Sequence, residues 1–156
     1  MQNRYLQQEL QHIDKLFQET RVASGNNLEM QAHWAKYLCI ISAGFLENAI
    51  SGVYEEFVKN AASEPVANYT ITILSKIQNP KAHKFIETAS AFKREWGQEL
   101  ESFVTQEARK EAIDSIMANR HLIAHGKNSG VTVARLRQWL DKSVEIVEFI
   151  EEQCGR

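Results

Sequence analysis

Tyr37-Leu38-Cys39-Ile40-Ile41-Ser42-Ala43-Gly44-Phe45 is the apolar run whose reading decides the fold. It is too short to span a bilayer, and Lys36 and Glu47 bound it. Around it, Trp34, Leu38, Ile41, Phe45, Ile50, Val53 and Phe57 recur at three- to five-residue steps. That period predicts one long helix from about Leu28 to Ala62. Its middle is apolar on nearly every side, so more than one neighbour must cover it. Such a helix sits at the centre of a bundle, or also serves a subunit contact.

The flanking sequence supplies helical neighbours. Leu6, Leu10, Ile13 and Phe17 form an apolar stripe on a first helix from about Gln2 to Val22, ended by Ala23-Ser24-Gly25-Asn26-Asn27. Ser63-Glu64-Pro65 opens a third helix to about Ile77, although Ile71-Thr72-Ile73 has strand-like composition. Asn79-Pro80 opens a fourth to about Arg94, with Phe85 and Phe92 inward. A fifth is expected from about Thr105 to His125, before the break Gly126-Lys127-Asn128-Ser129-Gly130. Thr132 caps a last helix to about Gln153, with Val133, Leu136, Leu140, Val144, Val147 and Ile150 inward. Short connections then predict an all-α, up-and-down bundle of about five to six helices in a single domain, 1–156.

Composition agrees with that class. Seven Gly and two Pro among 156 residues are few for a sandwich or barrel. A net charge of −2 makes the whole chain no magnet for nucleic acid. Charge is nonetheless uneven: from Arg120 to Lys142 the bases Arg120, Lys127, Arg135, Arg137 and Lys142 face only Asp141. Cys39 and Cys154 form no disulfide or zinc framework, and the N-terminus lacks the apolar core of a signal peptide, so a reducing cytoplasmic setting is expected. Walker, dinucleotide-binding and nucleophile-elbow motifs are absent.

Chemistry concentrates in Arg120-His121-Leu122-Ile123-Ala124-His125. Ile113, Ile116, Met117 and Ala124 define an apolar stripe, and Arg120 falls within it. A guanidinium there needs a buried acid such as Glu47, or a polar cleft. His125 stands five residues on, turned about 140° away on an ideal helix. Gly126 marks the helix end, where His125 can swing and two copies of the motif can meet. His121 and His125 could instead pair on a metal, but no third ligand or HExxH spacing accompanies them, so no metal and no cofactor are expected.

Arg120-His121-x-x-x-His125 followed by Gly126 resembles the RX4-6H signature of HEPN domains, in which a polar residue follows the arginine. The all-helical outline, with a long central helix carrying Glu47-Asn48, is similar to the stand-alone RiboL-PSP-type HEPN proteins of prokaryotes. Many toxin HEPN proteins with a nucleotidyltransferase partner place Tyr two residues after the histidine; Lys127 stands there instead, which argues against that subgroup. The resemblance implies a metal-independent endoribonuclease acting as a homodimer, with a toxin or antiviral-defence role and possible antitoxin partner, and no membrane. It implies His125 in acid–base catalysis, Arg120 offsetting phosphoryl charge, and His121 orienting the pair or binding substrate. Lys127 and Arg135 would then bind RNA, and Glu47 and Asn48 would support the site. A non-catalytic interaction or nucleotide-binding module is the alternative.

Overall fold

The computed structural model describes all residues, Met1–Arg156. It contains no strand and seven helices: α1 (Arg4–Ser24), α2 (Leu28–Ala61), α3 (Glu64–Leu74), α4 (Ala82–Phe92), α5 (Arg94–Val104), α6 (Arg109–Ala124) and α7 (Val133–Gly155). α2 is the axis. It packs against α1, α3, α6 and α7, while α4 and α5 form a corner against α6 and α7. Leu38, Phe45, Leu46, Ile50 and Tyr54 of α2 are sealed from solvent, in one hydrophobic cluster to which every helix contributes. α2 is apolar enough by length and hydropathy to cross a membrane, but 56% of its most apolar window is buried in the bundle.

Local signals set most boundaries. Asn3 and Asn27 cap α1 and α2 by accepting from the amides of Leu6 and Met30. Thr132 caps α7 in the same way through the amide of Arg135. Gly25, with φ of +47°, ends α1.

The five to six helices expected from sequence are corrected to seven. The unanticipated one is α5, separated from α4 by Lys93 alone. Lys93 is extended (φ −155°, ψ 125°), so α4 and α5 meet as a corner. Gly97 makes the corner tight: a Cβ there would lie 1.7 Å from Ser90 Oγ. The expected start at Thr105 is also corrected. Thr105 instead ends α5, and Glu107 and Ala108 have left-handed backbones (φ 54° and 59°) that no helix interior accepts. The fourth helix likewise starts at Ala82 rather than Asn79, whose φ is 47°.

Arg109 holds this strained turn. It is 7% exposed, donates from Nη1 to the carbonyls of Phe103 and Gln106, and pairs with Glu107 at 3.0 Å and Glu145 at 2.7 Å. Its guanidinium also lies 3.9 Å from the centroid of the Phe103 ring. Burial pushes the Glu145 carboxyl up, but hydrogen bonds from Lys142 and Arg109 outweigh it and hold the group below its ordinary value.

Two outcomes test this anchor. Arg109→Met should destabilise the fold by on the order of 3 kcal/mol, because it strips the turn of its donors and Glu145 of its partner, as read by thermal unfolding. Glu145, depressed in the folded state, stabilises fully above its unfolded pKa of about 4.3 and loses that contribution as pH falls through its lower folded value. The melting temperature should therefore drop more steeply with acid in wild type than in Glu145→Gln; equal slopes would remove the assignment.

Candidate functional site

α6 ends where the motif ends, and the stop is a specific one. His125 is the C-cap, and Gly126 follows with φ of +64°. The Lys127 amide donates to the Leu122 carbonyl at 2.8 Å and the Gly126 amide to the Ile123 carbonyl at 3.1 Å. This pair of bonds is the Schellman arrangement, and it needs a left-handed residue at position 126. Gly126 thus sets the direction in which the chain leaves His125.

Asn119, which sequence reasoning missed, fixes what comes next. Its Nδ2 donates to the Ser115 carbonyl, and its Oδ1 accepts from Ser129 Oγ at 2.7 Å. Ser129 Oγ in turn accepts from the Val131 amide at 3.4 Å. The loop between α6 and α7 is so pinned back onto the helix one residue before Arg120. A helix-interior Asn followed by a short polar loop with a lone serine, Ser129, was the available signal.

The structure brings His121 and His125 together. Both are exposed, and their ring centroids lie 4.3 Å apart at an interplanar angle of 52°. Their i, i+4 spacing puts them on one face. Arg120 lies about 100° around the helix from His121. It extends the buried row Ile113, Ile116 and Met117, and it is half-buried. No hydrogen bond or ion pair engages its guanidinium within the chain, whereas its neighbour Asn119 is fully engaged. The contrast with Arg109 is direct: one arginine of α6 is consumed by structure, the other is left with its donors free.

Of the remaining expected residues, two stay near this helix end and two do not. Lys127 and Arg135 are exposed on the loop and first turn of α7, and neither side chain is paired. Glu47 sits elsewhere on α2, where its Oε2 accepts from the Asn79 amide at 2.6 Å. Asn48 donates to Glu9 at 3.0 Å. These contacts tie α2 to the α3–α4 connection and to α1. They do not join either residue to Arg120 or His125, so Arg120 has no Glu47 partner in this chain. No three His, Cys, Asp or Glu side chains converge as a metal site would require. Trp139 packs half-buried against the core.

The family model for RiboL-PSP-HEPN matches residues 2–156. The chain belongs to the RiboL-PSP-HEPN family. The match covers every helix and the motif of this HEPN protein. Neither the curated proteins nor the solved structures hold a significant match to it.

Asn119→Ala should leave the helical circular dichroism intact while speeding amide hydrogen exchange across residues 126–131. Unchanged exchange would show that the loop is held by something other than the Asn119–Ser129 bond.

Proposed function

We propose that this HEPN protein is a metal-independent endoribonuclease, acting as a homodimer in the cytoplasm as a toxin or antiviral-defence effector. The observation that carries the reading is the half-buried Arg120, unpaired near the end of α6, on a different face from two exposed imidazoles in ring contact at the same helix end. Burying part of a guanidinium without an internal acceptor is costly, and an incoming phosphate repays that cost.

RNA carries its own nucleophile, so little else is needed. One imidazole, assigned to His125, takes the proton of the ribose 2′-hydroxyl as its oxygen attacks phosphorus. The P–O5′ bond breaks, and a protonated imidazole gives its proton to the departing 5′-oxygen. The products are a 2′,3′-cyclic phosphate and a 5′-hydroxyl end. Arg120 offsets charge on the phosphoryl oxygens. His121, in ring contact with His125, orients it or holds substrate. Lys127 and Arg135, exposed and unpaired, bind the RNA backbone.

Within one chain, Arg120 and His125 occupy different faces of α6. A second copy, apposed through this end of the bundle, would complete the cleft by bringing one motif against the other. An antitoxin protein is the partner that such an effector requires for control. A non-catalytic interaction module is the second reading, favoured by the exposed apolar row Val66, Tyr69 and Ile73 on α3.

Purified protein should cut single-stranded RNA in EDTA and leave cyclic phosphate ends. Arg120→Ala and His125→Ala should each reduce cutting by at least about a hundredfold with helicity retained. Full activity in both variants would eliminate the enzyme, and activity lost in EDTA alone would point to a metal instead.

A further inference from the structure

A well-formed cavity lies outside the motif. It is a groove of about 830 Å³ between the C-terminal end of α1, the N-terminal end of α2 and the N-terminal end of α7. That volume suits a ligand of nucleotide size or somewhat larger. Its apolar walls come from Phe17, Leu28 and Val133; Gln18 brings an unengaged amide, while Gln31 Nε2 donates to the Gly25 carbonyl at 2.6 Å.

One cation in the groove is free. Arg137 also lines it, but its guanidinium is held by Asp14 and Asp141 and lies 4.8 Å from the centroid of the Phe17 ring. Asp14, the groove's one acid, is thereby occupied. Arg21 is exposed and bound to nothing within the chain. An anion entering the groove therefore meets an unpaired guanidinium, with no unpaired carboxylate among the lining residues.

The groove and the motif share one end of the bundle. Val131, in the groove wall, follows His125 by six residues, so the wall lies within roughly 20 Å of that imidazole along the chain. Exposed Lys127 lies on the intervening loop. A strand cut at the motif is long enough to continue into the groove.

We infer that this groove binds the bases and phosphates of single-stranded RNA flanking the cut. The inference rests on the RNA reading of the motif and adds a second subsite to it. Apolar walls take unstacked bases, the unengaged Gln18 amide meets base edges, and Arg21 takes a phosphate. Two stations on one surface would make the protein prefer an extended single strand to a duplex, whose bases cannot reach the walls.

The test measures binding apart from cleavage. A short fluorescein-labelled oligonucleotide with 2′-O-methyl groups offers no nucleophile and stays intact. Its affinity for the full chain is read by anisotropy, with 5′-AMP as a competing arm. Arg21→Glu and Leu28→Asp, both at exposed positions, should each weaken binding by about tenfold. Tyr69→Ser on the distant α3 should change nothing, and 5′-AMP should compete only weakly. Wild-type affinity in both groove variants overturns the proposal. So does 5′-AMP binding as tightly as the oligonucleotide, which makes this a mononucleotide pocket. Weakened binding in a protein that cuts no RNA keeps the groove and removes the nuclease; cutting with unweakened binding does the reverse.

Discussion

α2 cannot stand alone in water. Its side chains Leu38, Phe45, Leu46, Ile50 and Tyr54 point around much of the helix and are all sealed. Each large apolar side chain withdrawn from water is worth roughly 1.5–3 kcal/mol, so a helix apolar on several sides demands several neighbours. α1, α3, α6 and α7 meet that demand, and their positions follow from it. The motif inherits its place from the same constraint. Ile113, Ile116 and Met117 bind α6 into the core, and Cys39 of α2 lies against the Ile116 carbonyl at 3.6 Å. One turn later Arg120 leaves the sealed region, and His125 ends the helix in solvent.

The two arginines of α6 show how one helix divides its work. Arg109 sits at the start, sealed, with every side of its guanidinium engaged by carbonyls and carboxylates. It secures two consecutive left-handed residues, each of which costs of the order of 1–3 kcal/mol. Arg120 sits at the end, half-buried and unengaged. The first is spent on folding. The second keeps its hydrogen-bonding capacity for something that is not part of the chain. A rigid start and a pinned exit, through Asn119 and Ser129, hold that capacity in a fixed position, which a phosphate-binding group needs.

His121 and His125 add a second theme. Helix periodicity makes them neighbours, and the C-cap geometry of His125 keeps their rings in contact. The same periodicity turns Arg120 away from both. A single copy therefore presents its cation and its imidazoles on different faces of α6. That separation is why a two-copy cleft, rather than a one-chain site, is the arrangement proposed for the chemistry.

Periodicity in the sequence was sufficient for the all-helical class, for the stripes of α1, α2 and α7, and for the Thr132 cap, because these depend on neighbours within one or two turns. Gly126 announced the end of α6, since a left-handed stop leaves its mark in a single residue. The motif was legible for the same local reason. What the sequence left hidden depends on contacts between distant segments. The corner between α4 and α5 is made by Gly97 against Ser90, and the break before α6 by Arg109 reaching Glu145, 36 residues away. Glu47 read as a partner for Arg120, yet packing set it beside the Asn79 amide. The groove between α1, α2 and α7 exists only once three helix ends are brought together. Local spacing fixes which residues share a face; only the packed bundle decides what that face meets.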